Sequence, residues 1–171
     1  YDFSVFGYLA NVISEEFFEP SEDEDEQLIT LVKTFAIFGA AFFARPIGGI
    51  IIRRIGDIYG RSQALSIAML LIGLASFVMG CLPTYRTVGH LGVVLLIITR
   101  LVQGISVGGQ FMSTMLFTVE NAPPARRGFH AALTFTASNL GFLVGNLVSY
   151  ILRQSLTDEQ LHLFGWRIPF L

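Results

Sequence analysis

An all-α membrane protein is the fold class this sequence predicts, and three observations carry it. Apolar residues make up 53% of the chain and charged residues 14%, against roughly a quarter charged in soluble domains. The charges are clumped, with eight of the thirteen acids between Glu15 and Glu26. Between the clumps run stretches that hold the roughly 20 apolar residues a helix needs to cross a bilayer.

The first span is read over 1–18, apolar apart from Asp2 and the glutamates at its end. At about 1.5 Å per residue, Asp2 lies roughly 20 Å from Glu15, near the midplane of the membrane. An intramembrane carboxylate costs roughly 2.5–3.5 kcal/mol on the insertion scale, so it faces a water path or a partner by default. The alternative keeps it near the inner interface. Residues 19–27 form an acidic loop. Calcium is a poor reading of it, because Glu-Pro-Ser-Glu-Asp-Glu-Asp-Glu lacks the turn glycine and ligand alternation of an EF-hand.

The second span covers 28–52, about 37 Å if helical. Lys33 is close enough to its outer end to snorkel. Pro46 kinks a helix, and Arg45 either reaches the inner interface or pairs inside the protein. Next comes the connection on which the topology turns: Arg53, Arg54, Gly56, Asp57, Gly60, Arg61 and Gln63 lie within residues 53–63. Short loops rich in arginine stay cytoplasmic. The third span covers 64–82, nineteen residues without a charge, with Ser62 as a candidate N-cap. Residues 83–89 form an outer loop.

The fourth span, 90–119, is the richest in polar groups. Arg100, Gln103 and Gln110 stand inside it, and Gly104 and Gly108 are one turn apart, a spacing that lets another helix backbone approach closely. The second inner loop, 120–128, contains Glu120, Arg127 and Gly128. The fifth span, 129–152, presents Gly141 and Gly145 as a second small-residue face. After an outer amphiphilic connection at 153–164, Gly165-Trp166-Arg167-Ile168-Pro169 opens a sixth helix with Trp166 at an interface. The inner loops carry Arg53, Arg54, Arg61, Arg126 and Arg127, while the outer loops carry nearly all the acid. Both inner loops are therefore placed in the cytoplasm.

The residues present also exclude several function classes. There is no basic field for nucleic acid. Cys81 is the single cysteine, so no internal disulfide and no cysteine zinc site is available. His90, His130 and His162 fall on different sides of the membrane, and no nucleophile–base set or phosphate-binding loop is present. The reading is not an enzyme, and it calls for no cofactor and no metal.

Gly-Asp-x-x-Gly-Arg at 56–61, Arg-x-x-Gln-Gly-x-x-x-Gly-Gly at 100–109 and Glu-x-x-Pro-x-x-x-Arg-Gly at 120–128 resemble the major facilitator superfamily. Tyr1-Asp2-Phe3, Arg45-Pro46-x-Gly48-Gly49, Gln103-Gly104-x-Ser106-Val107-Gly108-Gly109 and Gly165-Trp166-Arg167-Ile168-Pro169-Phe170 are similar to its metabolite:H⁺ symporter branch, which includes proline/betaine, α-ketoglutarate and shikimate transporters. The resemblance runs the length of the chain. It implies a fragment of an N-terminal six-helix bundle over 1–171, whose solute site is completed near the midplane by a second half.

What the resemblance implies is secondary transport of a small carboxylate or zwitterion by alternating access, with proton coupling, in the plasma membrane. An uncoupled facilitator and a non-transporting nutrient sensor are the alternatives. Asp2, Arg100, Gln103 and Gln110 are the expected solute and proton pathway, with Arg100 as a carboxylate fork or, alternatively, a pin tied to backbone carbonyls. Asp57, Gly60, Arg61, Glu120, Arg127 and Gly128 are the expected conformational latch, with Asp57 and Arg61 at helical pairing distance; the alternative is that these charges only set topology. Three positions depart from the family pattern. Arg53 stands where a glycine is usual, Gln63 where a basic residue is usual, and Gln110 where many members carry glutamate. The last leaves any coupling carboxylate to Asp2 or to the second half.

Overall fold

The structure is a computed structural model that describes residues 1–18 and 24–171. Every regular element among the described residues is helical. Positions 19–23 of the expected acidic loop lie outside them, and its last residues already belong to a helix.

The first span is two short helices, α1 (Asp2–Tyr8) and α2 (Ala10–Phe17). Leu9 between them departs only mildly from helical geometry (φ −95°, ψ 13°). Its amide still donates to the Val5 carbonyl at 2.9 Å, and the Ile13 amide donates to Leu9 at 2.9 Å. One face of the pair, Val5, Phe6, Leu9, Ile13 and Phe17, is fully buried.

Helix α3 (Glu24–Tyr59) has 36 residues, about 54 Å of helix against a hydrocarbon core of about 30 Å. This corrects the expected loop at 53–63. Arg53, Arg54 and Asp57 are exposed residues on a helix that continues past the apolar span. The connection narrows to Gly60, whose φ of 97° is open to glycine and strained for other residues. Helix α4 (Arg61–Cys81) starts directly after it. Gly60, not Ser62, therefore occupies the N-cap position.

A one-turn helix, α5 (Tyr85–Val88), sits in the outer loop and leads into α6 (His90–Glu120). A 3₁₀ turn at Pro124–Arg126 precedes α7 (Arg127–Ser155). Helix α8 (Asp158–Leu163) begins with a capping box between Thr157 and Gln160 and occupies the expected outer connection. Gly165–Phe170 forms a 3₁₀ helix rather than the first α-turns of a sixth span.

Four of these helices, α3, α4, α6 and α7, are long and apolar enough to cross a membrane. Helix α6 is the centre, packed between α3 and α4, while α7 packs on α1 and α6. The α3–α6 seam is a backbone contact made possible by missing side chains. A Cβ at Gly104 would strike the Ala41 carbonyl, one at Gly108 the Arg45 carbonyl, and one at Gly48 the Ile105 carbonyl. Gly145 plays the same part between α7 and α1: a Cβ there would strike the Ser4 hydroxyl and lie 2.9 Å from the Tyr1 carbonyl, whereas one at Gly141 would make only an ordinary contact, 3.6 Å from the Tyr1 amide nitrogen.

Trp166 corrects another expectation. It is fully buried, with its ring 5.5 Å from Phe17 in an edge contact. The Arg167 guanidinium donates to the Leu82 carbonyl at 3.2 Å and ties this segment to the end of α4. That anchoring turns the indole into the core instead of toward an interface.

Candidate functional site

A cavity of about 950 Å³ opens among α1, α3, α4, α6 and α7. Asp2, Arg45, Gln110, Thr134, Ser138 and Asn139 supply its polar lining, and Phe3, Phe42, Phe111, Phe135 and Phe142 its aromatic one. Each side chain follows from helix register. Asp2 begins α1, whose Gly141 and Gly145 contacts draw it against α7. Gln110 sits two residues beyond Gly108 on the helix that glycine holds against α3.

Arg45 enters the cavity for three local reasons. Its backbone is pressed against Gly108. Phe42, three residues earlier on the same helix, lies on the same face, and the guanidinium is 4.0 Å from that ring centre. Phe3 from α1 adds a second ring at 4.5 Å. Sequence reading left Arg45 undecided between the interface and an internal pair; an aromatic three residues before an arginine was the signal for a stacked cation.

Arg100 and Gln103 are placed elsewhere. Both are fully buried, and neither lines the cavity. Arg100 Nη1 donates to Gln103 Oε1 at 2.7 Å, and Gln103 Nε2 donates to Ser76 Oγ at 3.2 Å on α4. The guanidinium is covered by Phe6 at 3.7 Å and Phe170 at 5.6 Å. The expected four-residue pathway is thus divided: Asp2 and Gln110 share a cavity, while Arg100 and Gln103 form a covered network behind it.

The two arginines are linked through an aromatic cluster. Phe38 is 5.2 Å from Phe42, 5.7 Å from Phe3 and stacked on Phe6 at 5.7 Å.

At the end of the bundle where α3 turns into α4, Arg61 pairs with Glu120, joining α4 to α6. Asp57 makes no ion pair among the described residues. The expected Asp57–Arg61 pair does not form because Gly60 breaks the helix between them, and four-residue spacing brings side chains together only on a continuous helix. Arg127 and Gly128 are exposed at the start of α7.

Sequence reading missed an outer-end cluster. His162 Nδ1 is 3.3 Å from Glu16 and its Nε2 is 3.4 Å from Glu15. Glu16 is buried. These residues border a second cavity of about 1040 Å³, with Arg86 and Arg167 on its other walls. A glutamate pair ending one helix gave no hint of a histidine nearly 150 positions later.

Comparison with known proteins gives this geometry a family. The profile of the "Sugar (and other) transporter" family matches residues 1–171. A putative proline/betaine transporter of Staphylococcus aureus is 36% identical over 171 residues, covering 100% of this chain and 36% of the relative. The proline/betaine transporter of Salmonella typhimurium is 34% identical over 170 residues, covering 99% of this chain and 33% of the relative. The chain thus spans about a third of the length of these curated relatives.

Among solved structures, the partially occluded inward-open xylose transporter XylE from E. coli superposes with a TM-score of 0.80 at 21% identity, over 99% of this chain and 40% of XylE. Its inward-open form gives 0.72 at 25% identity, over 98% of this chain and 41% of XylE. These similarities are to transporters, not enzymes. The chain is an integral membrane segment, and it belongs to the sugar (and other) transporter family of the major facilitator superfamily.

Proposed function

We propose that the full carrier moves a small organic solute, a carboxylate or zwitterion, across the plasma membrane by alternating access, coupled to protons. The observation that carries this reading is the cavity, largely apolar with a few polar groups set in its wall. Ligand sites combine an apolar wall with a small number of placed polar groups, and this cleft has Asp2, Arg45 and Gln110 among its phenylalanines. It lies among membrane-spanning helices, and Asp2 is the carboxylate in its lining. The naming of relatives as proline/betaine transporters points to the same solute class. Nearly all of the apolar length of α7 is left uncovered by the described residues, which leaves that helix free to meet lipid or the second half of the carrier.

In this reading Asp2 takes up and releases the proton, Gln110 hydrogen-bonds the solute, and Arg100 with Gln103 holds α6 to α4 behind the site. The inner-end residues Asp57, Gly60, Arg61, Glu120, Arg127 and Gly128 form the latch that opens as the halves rock. Cytoplasmic placement of this end follows from its arginines.

One observation favours an uncoupled facilitator instead: Gln110, which cannot carry a proton, lines the cavity. Radiolabelled uptake by the full-length carrier decides between them. Carboxylates and betaine-type zwitterions are supplied with and without an inward pH gradient. Accumulation that disappears with the gradient supports symport, and gradient-independent equilibration supports a facilitator. Absence of flux from correctly inserted protein overturns transport and returns the sensor reading.

A further inference from the structure

We propose that Arg45 is the carboxylate anchor of the cavity. The inference rests on the transport reading above and names the anchoring residue within it.

Arg45 is fixed without being satisfied. Its backbone is clamped against Gly108, and its guanidinium sits in the notch between Phe42 and Phe3, whose rings meet at 74° with centres 5.3 Å apart. Ring quadrupoles attract the cation but leave its in-plane N–H donors free. Among the described residues the side chain makes no hydrogen bond or ion pair, and its Nε is buried without a partner. A positioned, half-buried fork with unpartnered donors matches a bidentate acceptor such as a carboxylate.

Arg100 has the opposite character. It is covered by rings, bonded to Gln103, and outside the cavity. Among the described residues, Arg45 and Asp2 are the charged side chains of the cavity lining, so Arg45 is the cation available there to a carboxylate. Phe111 and Phe135, with ring centres 6.5 Å apart, add faces for an alkylammonium group.

The test uses the full-length carrier in proteoliposomes, with glycine betaine as the transported probe and choline, which lacks the carboxylate, as competitor. Orientation and amount of each variant are matched by surface labelling. Arg45→Gln and Arg45→Lys are expected to raise the betaine KM about tenfold or more, because lysine keeps the charge but not the fork. The choline inhibition constant should move less than about twofold. A carboxylate anchor predicts this selective loss. If both constants rise together, Arg45 is structural and the proposal falls; if neither moves, it falls as well. Where Arg45→Gln carries no flux, equilibrium binding of both probes to solubilised Arg45→Lys gives the same comparison. Wild-type carrier with no flux of betaine or of a dicarboxylate overturns the transport reading itself.

Discussion

Arg61, the first residue of α4, and Glu120, the last residue of α6, form an ion pair across one end of the bundle. It joins the two charged connections of this half. Both side chains are close to half exposed, at 46% and 47%, so the pair contributes only about 0.2–1 kcal/mol to stability. A contact that weak suits a part that opens and closes. Arg61→Glu is expected to leave folding intact and shift the carrier toward the inward-open state. Arg61→Glu with Glu120→Arg is expected to restore the balance. Labelling of a reporter cysteine at the inner mouth of the cavity reads the shift. Asp57→Asn tests the latch across to the second half, since Asp57 has no ion-pair partner among the described residues; an unchanged inward/outward balance would remove Asp57 from it.

The α3–α6 seam sets the sharpest stability prediction. Gly104→Val and Gly108→Val each place side-chain atoms where a backbone carbonyl lies, and a backbone yields less readily than a side chain. Overpacking costs typically 1–3 kcal/mol and more where the obstacle is rigid. The melting temperature of purified carrier should fall sharply for both variants. Gly128→Ala, with open space around the added carbon, should not move it.

Gln103 is expected to matter through Arg100. Gln103→Leu removes the hydrogen-bonding partner of a fully buried guanidinium. Such a loss costs about 1–3 kcal/mol or more for a charged group. Thermal unfolding of the full-length variant should show it. Because neither residue lines the cavity, solute KM should change far less than it does for Arg45 variants.

At the outer end, His162→Ala removes an imidazole that contacts Glu15 and Glu16. Glu16, being buried, is left without a nearby partner in that direction. We expect a loss of stability, measured by thermal unfolding, with Glu16→Gln restoring part of it. Equal stability of His162→Ala and wild type would show that the contact contributes nothing.

Much of the fold was legible because spans and glycine faces are local patterns. An uncharged stretch such as 64–82 has to be a span, and Gly104 with Gly108 has to be a contact face. The extent of α3 was not legible, since Arg53, Arg54 and Asp57 look like loop residues when helix and membrane are assumed to end together. A 36-residue helix simply carries its charges beyond the lipid. The site was half legible. Asp2 and Gln110 were expected in the pathway and do share a cavity, but the choice between Arg45 and Arg100 depended on which arginine the aromatic rings cover. Phe6 and Phe170 close over Arg100 from distant parts of the chain, and no spacing rule encodes that. Trp166 was misplaced for a related reason: its partner, Phe17, lies nearly the whole chain away.

The most direct test of proton-coupled passage through this cavity is a comparison of net accumulation and exchange in the full-length carrier bearing Asp2→Asn. Proteoliposomes are loaded with unlabelled betaine for exchange, or left empty under an inward pH gradient for accumulation. The account predicts that Asp2→Asn abolishes gradient-driven accumulation and retains exchange at a rate within a few fold of wild type. Accumulation surviving at wild-type level would contradict it, because the cavity's carboxylate would then have no part in moving the proton.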